Sequence, residues 1–108
     1  MTKTFNESIY SALKRVPKGR VTTYKILAEA IGTKAYRAVG QAMRRNPYAP
    51  KVPCHRCVSS DGSIGGFAGS KSPGSKEIKR KINLLRQEGI RVKGNKILNF
   101  RKLVIRAL

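Results

Sequence analysis

Apolar residues recur at helical spacing in four separate stretches of the chain. In the first, Phe5, Ile9, Ala12, Leu13 and Val16 mark one face of an amphipathic helix of about three turns. Thr4-Phe5-Asn6-Glu7 precedes it as a capping box, with Thr4 as N-cap and Glu7 reaching back. Pro17-Lys18-Gly19-Arg20 closes it as a turn. Thr22 or Thr23 can cap a second helix, with Tyr24, Leu27, Ala28 and Ile31 inward and Gly32 as its stop. Thr33 caps a third within a residue or two. There Tyr36, Val39, Gly40 and Met43 follow the i, i+3, i+4, i+7 rule, and the helix ends near Asn46-Pro47. Two short helices across a tight glycine-containing turn read as a helix-turn-helix. Ser75 caps a last, longer helix with Ile78, Ile82 and Leu85 inward, Leu84 broadening that side, and Gly89 ending it. The tail from Ile90 to Phe100 reads as a hairpin turning at Gly94-Asn95. The pattern predicts one mainly α domain over residues 1–108, a winged helix-turn-helix-like fold with a small C-terminal β-hairpin.

Charge changes this picture. The chain of 108 residues carries 24 Lys and Arg against 5 Asp and Glu, a formal +19. Such an imbalance repels itself in a folded domain, and a polyanion relieves it by counterion release. Nucleic acid comes first, an anionic membrane surface second, and selection for solubility or heat third. No apolar run approaches the roughly 20 residues of a spanning helix, and the start shows no signal-peptide pattern. On the third helix Lys34, Arg37, Gln41 and Arg44 share a stripe flanked by Ala35, Ala38 and Ala42. A basic stripe is usually just a solvated face. Small neighbours that permit close approach to a groove, together with the helix-turn-helix pattern, turn the reading towards DNA.

The chemistry is concentrated in Val52-Pro53-Cys54-His55-Arg56-Cys57-Val58, where a thiol stands beside the chain's single imidazole. A thiolate is a strong nucleophile, and a neighbouring base is the usual means of making one near neutral pH. Adjacent side chains on extended backbone point to opposite faces, so Cys54 and His55 need a local turn or a bridging water. The plainer reading makes Cys54 a small core residue and His55 a surface one. Cys54-x-x-Cys57 lacks the further ligands of a structural zinc site, so no metal is expected. A redox pair stays open, without a thioredoxin-like frame around it. Nothing suggests a disulfide framework, and the thiols are read as reduced and intracellular. Downstream, Ser59 to Ser70 is rich in glycine and hydroxyls, with Phe67 alone among the glycines. Such a loop permits close backbone approach to a ligand, and Phe67 could stack on a flat group or pin the loop. Glu88 sits near a helix C-terminus, a poor place for an anion unless a histidine or arginine meets it.

These motifs together resemble the O6-alkylguanine-DNA alkyltransferases, specifically their DNA-binding catalytic domain, from about Phe5 to Gly89. Pro53-Cys54-His55-Arg56 is the most specific piece. Gly19-Arg20-Val21-Thr22-Thr23-Tyr24, Arg37-Ala38-Val39-Gly40, Ala42-Met43-Arg44-Arg45-Asn46-Pro47 and Leu84-Leu85-Arg86-Gln87-Glu88-Gly89 support it in order. The resemblance implies minor-groove binding to duplex DNA, rotation of O6-alkylguanine out of the stack, and irreversible single-turnover transfer of the alkyl group to Cys54, with no cofactor. It further implies His55 as base through a water, Glu88 orienting the imidazole, and Asn46 bracing the active-site turn. Arg37 would fill the gap left by the flipped nucleotide. Tyr24 would crowd the phosphate and donate towards the departing guanine. Met43, Phe67, Cys57, Ser59 and Ala68 would line the pocket, with backbone near Cys57, Ser59 and Gly66 to Ala68 reading the base edge. The implied protein is a cytoplasmic, nucleoid-associated monomer able to cluster on DNA.

Three departures stand out. Cys57 replaces a common aliphatic residue, Ala68 replaces a frequent serine, and the family's usual N-terminal domain is absent from residues 1–108. The nearest rival is a non-catalytic alkyltransferase-like protein that binds the lesion and transfers nothing. Such proteins typically carry tryptophan at the acceptor position, where this chain has Cys54. A plain helix-turn-helix regulator with a structural Cys54 is a further alternative, and it leaves the Pro-Cys-His-Arg stretch to chance.

Overall fold

Helix α1 (Phe5–Leu13) is fixed at its head by Thr4, whose Oγ1 accepts from the Glu7 N–H at 3.2 Å. The same hydroxyl donates to Glu7 Oε1 at 2.9 Å, so Glu7 closes the box on the side chain of Thr4. The helix stops short of Val16, which is nonetheless fully buried in the turn that follows. A computed structural model describes residues 4–67, 72 and 74–108 of the chain.

Thr23 caps α2 (Tyr24–Ala30), its side chain accepting from the Ile26 N–H at 3.1 Å. Gly32 then takes φ +72°, the left-handed conformation that ends a helix cheaply. Helix α3 (Tyr36–Arg44) begins later than the expected Thr33 cap, because Thr33 Oγ1 instead accepts from the Ala35 N–H at 3.1 Å in a short turn. Lys34 and Ala35 therefore precede the helix rather than lie on it. Tyr36, expected inward, is 47% exposed. As the first residue of α3 it overhangs the contact that Val39, Ala42 and Met43 make with α1 and α2.

Two features escape the periodicity altogether. Strand β1 (Thr22–Thr23) pairs in parallel with β2 (Cys57–Val58), Thr22 opposite Cys57 and Thr23 opposite Val58. Helix α5 (Phe100–Leu103) follows the hairpin. Beyond it the tail returns to Val21, just ahead of β1, with the Ile105 N–H donating to Val21 O at 2.8 Å. Elements so short have no repeat to detect. The hairpin itself is where expected: β3 (Val92–Lys93) and β4 (Lys96–Ile97) are antiparallel, with Gly94 at φ +59° in the turn.

Helix α4 (Lys76–Gln87) is capped by Ser75, which accepts from the Ile78 N–H at 3.3 Å. The apolar side chains form two clusters. One joins α1, α2 and α3 to Val52, Cys54 and Cys57; the other joins α4 and the hairpin to Val21, Val58, Ile64 and Val104. Fully burying a leucine such as Leu27 or Leu85 contributes about 2 kcal/mol. Phe67 packs on both clusters, at their seam. The reactive stretch enters the same seam.

Candidate active site and nucleic-acid interface

Residues Cys54–Arg56 form a single 3-10 turn after Pro53, closed by the Arg56 N–H donating to Pro53 O at 2.9 Å. Successive side chains in such a turn diverge by roughly 120° rather than the half-turn of a strand. Cys54 and His55 therefore both point inward, 7% and 2% exposed. The plainer reading of His55 as a surface residue does not hold.

His55 Nε2 lies 2.8 Å from Glu88 Oε2. Arg56 holds the same carboxylate with both prongs, Nε to Oε1 at 2.9 Å and Nη2 to Oε2 at 2.7 Å, and its Nη1 donates to Val16 O at 2.7 Å. Glu88 is the C-cap of α4, where the helix dipole disfavours an anion. The charge-assisted fork of Arg56 offsets this. Burial works to raise the Glu88 pKa, but the hydrogen bonds from Arg56 and His55 outweigh it and hold the carboxyl below its ordinary value. For His55, burial lowers the pKa more than Glu88 raises it, so the neutral imidazole is the resting form at pH 7. An ionised carboxylate only accepts, which puts the imidazole proton on Nε2. Nδ1 is then a bare acceptor, buried and without a hydrogen-bond partner among the described residues.

Asn46 lies just beyond α3 and spans the connecting turn. Its Nδ2 donates to Val52 O at 2.8 Å and its Oδ1 accepts from the Tyr48 N–H at 2.9 Å. Val52 O also accepts from the Cys54 N–H at 2.9 Å. Tyr24 stands across the site, half-buried, with its hydroxyl 3.4 Å from Gly66 O. Burial is the main cause that pushes its pKa up, so it stays a protonated donor. Gly65, at φ +73°, is so close to Ser59 that an added Cβ would meet Ser59 Oγ at 3.1 Å. Tyr24, Ser59, Gly65 and Gly66 thus sit together. Phe67 and Met43 pack on the cluster that contains Cys54. Ala68 lies outside the described residues.

One residue was missed in the sequence. Lys81 is fully buried, and its Nζ donates to Cys57 O at 2.6 Å, Ile64 O at 2.6 Å and Gly66 O at 3.1 Å. It ties the end of the reactive stretch to the glycine loop. Burial lowers its pKa to about 8. The signal was available, because Ile78, Lys81, Ile82 and Leu85 are spaced i, i+3, i+4, i+7, which puts a lysine on the inward stripe. Burial pushes the Cys57 thiol up to about 12, against the pull of Lys81. Cys57 is therefore protonated and a poor nucleophile.

On the outer side of α3, Arg37, Gln41 and Arg44 are exposed and Ala38 half-buried, and the exposed Lys34 and Ala35 extend that surface ahead of the helix. A groove of about 310 Å³ between α1 and the 48–52 turn, lined in part by Tyr10, Lys14, Tyr48 and Lys51, contains none of the site residues. Among the described residues no three His, Cys, Asp or Glu side chains gather as a metal site.

Known proteins share this fold and part of this sequence. The sequence pattern described as "6-O-methylguanine DNA methyltransferase, DNA binding domain" matches residues 4–90. A methylated-DNA–protein-cysteine methyltransferase of Methanosarcina barkeri is 49% identical over 65 residues, 59% of this chain and 41% of that protein. The O6-methylguanine-DNA methyltransferase of Pyrococcus kodakaraensis superposes with a TM-score of 0.67 at 44% identity, covering 82% of this chain and 47% of that one. S. pombe Atl1, solved with damaged DNA containing O6-carboxymethylguanine, superposes with a TM-score of 0.79 at 30% identity, covering 96% of this chain and 98% of Atl1. The chain thus spans about half or less of the length of the two methyltransferases and nearly all of Atl1. With the pattern matched across residues 4–90, the chain belongs to the 6-O-methylguanine DNA methyltransferase family, through its DNA-binding domain.

Proposed function

We propose that this protein repairs duplex DNA by moving the alkyl group of O6-alkylguanine onto Cys54. The observation that carries the reading is the Cys54–His55–Glu88 arrangement. A neutral imidazole, anchored through Nε2, keeps a buried Nδ1 without a hydrogen-bond partner among the described residues, on the residue that follows the buried thiol in the same tight turn. A water bridging Cys54 Sγ and Nδ1 passes the thiol proton to the imidazole, and Glu88 stabilises the imidazolium so formed. The sulfur attacks the alkyl carbon from the side opposite O6, the C–O bond breaks, and its electron pair leaves with the guanine. Tyr24, kept protonated by burial, offers the departing base a hydrogen bond. The product is a thioether that does not hydrolyse, so each molecule acts once and no cofactor takes part.

In this reading α2 and α3 form the helix-turn-helix, the hairpin is its wing, and α3 lies in the minor groove. Arg37 fills the space of the rotated nucleotide, and Lys34, Ala35, Ala38, Gln41 and Arg44 line the groove contact. Extrusion costs a few kcal/mol and is cheapest for a badly paired base, which favours the lesion. Met43, Phe67, Cys57, Ser59 and Ala68 form the pocket, with Lys81 positioning its walls. The protein binds as a monomer that can cluster along DNA.

The near full-length likeness to Atl1 favours a second reading, a lesion binder that transfers nothing. Intact mass after incubation with a duplex holding one O6-methylguanine decides between them. Gain of one methyl, absent in Cys54→Ser, supports transfer. Tight lesion binding without mass gain supports the binder, and indifference to the lesion defeats both.

A further inference from the structure

We infer that the outward face of the β3–β4 hairpin is a second duplex-DNA contact, gripping backbone phosphates through Arg91, Lys93 and Lys96. The inference rests on the DNA-binding reading above and adds a surface separate from α3. The hairpin belongs to the second apolar cluster, whereas α3 belongs to the first.

The register makes the argument. Val92 pairs with Ile97, and both turn inward, 8% and 5% exposed. Side chains alternate along a strand, so Lys93 on β3 and Lys96 on β4 share the outer face, and Arg91, just before β3, continues it where its carbonyl accepts from the Leu98 N–H at 2.9 Å. All three are exposed. Lys93 stands directly opposite Lys96, and like charges in that position destabilise a hairpin. Among the described residues the one ion pair on this face is Lys96 Nζ with Asp61 Oδ2, long at 3.9 Å and well exposed on both sides. The other oxygen of Asp61 is taken by the backbone N–H and hydroxyl of Ser63. A charge arrangement so poorly compensated within the chain suits an external anion.

The band continues away from the hairpin. Arg86 Nη2 donates to Val92 O at 2.9 Å, which joins the hairpin to the exposed stripe of α4 carrying Lys76, Lys79 and Arg80. Leu98, 38% exposed, is the lone apolar side chain on the outer hairpin face. A membrane-surface element needs an apolar face to bury, and this one offers charge instead, as phosphate contact requires. The hairpin also bonds to the loop that forms the site. The Ile97 N–H donates to Gly62 O and the Ile64 N–H to Asn95 O, both at 2.9 Å. A phosphate grip here steadies the strand of chain leading to Gly65 and Gly66.

The test is the salt dependence of binding to an undamaged duplex, for the wild type, Arg37→Ala and the triple variant Arg91→Gln/Lys93→Gln/Lys96→Gln. Each phosphate contact contributes roughly 0.9 to the slope of log K against log salt, so the triple variant should lose about 2 to 3 from it. Its transfer from a free O6-alkylguanine base, which carries no phosphate, should be unchanged. Lys93→Glu, which creates a cross-strand pair with Lys96, should raise the thermal midpoint and still lower the slope, separating binding from folding. An unchanged slope in both variants overturns the inference. So does a loss confined to vesicles of anionic phospholipid. If the wild type binds no duplex at all, the DNA reading itself fails; if it binds and only the hairpin variants are silent, the hairpin contact alone is wrong.

Discussion

The Cys54 turn and the outer face of α3 serve one proposed reaction but are held in opposite ways. At the turn nearly every polar atom is engaged: Glu88 by two side chains, Val52 O by two donors, Lys81 Nζ by three carbonyls. On α3, Arg37, Gln41 and Arg44 stand in solvent. Low local dielectric makes the first region intolerant of a missing partner, whereas water screens and replaces contacts in the second. Substitutions at the turn should therefore act on stability and chemistry together. Those on α3 should act on DNA alone.

The sharpest break is Lys81→Met. It leaves the carbonyls of Cys57, Ile64 and Gly66 without their donor, and should cost about 3 kcal/mol of stability, read from the urea midpoint. Transfer should fall as well; a midpoint within error of wild type would show that the loop does not depend on this lysine. Glu88→Gln comes next. It weakens the hold on the imidazole and on Arg56, and should slow transfer roughly 100-fold in a single-turnover assay. Lesion-DNA affinity should be nearly unaltered, and equal loss of both would make Glu88 a scaffold residue only. Arg37→Ala sits on the other side of the comparison. We expect about a tenfold loss of transfer from duplex DNA, with no change in urea midpoint and normal reaction with a free base. Loss of stability there would erase the distinction between the two regions.

The smallest effect is in pH. The folded pKa of Lys81, about 8, lies below the ordinary lysine value of 10.5. Below pH 8 both folded and unfolded chains hold the proton, and the burial penalty stands in full. Above it the folded chain releases the proton first, the unfolded chain binds more protons, and stability rises with pH. Between pH 8 and 9 the gain should be about 1 kcal/mol, absent from Lys81→Met. The raised pKa of Cys57 works in the opposite direction only above its ordinary value of 9. A decline across pH 8 to 9 would contradict the assignment.

Much of this was legible from residue order because its causes are local. Thr4, Thr23 and Ser75 announce helix starts by accepting a hydrogen bond three residues on. Gly94-Asn95 announces the hairpin, and Glu88 was visibly misplaced without a cationic partner. What stayed hidden depends on distance in the chain. The β1–β2 pair joins residues more than thirty apart through strands too short to alternate. Arg56 and Glu88 stand thirty-two positions apart, and residue order does not show that their side chains form a fork. The late start of α3 reflects competition, since Thr33 satisfies Ala35 in a turn and forgoes the cap. Lys81 was hidden differently: its spacing placed it inward, while its charge argued for solvent. Three carbonyls converging from distant segments resolve that conflict.

The oxygen of Val52 has a mechanical consequence. It tethers both the amide of Cys54 and Asn46, just beyond α3, the helix that the proposed reaction seats in the groove. Any tilt of that helix as it settles on a duplex is delivered, through one atom, to the place where the sulfur hangs. Seating and aim then become a single adjustment, and a helix seated badly leaves the sulfur pointing off target.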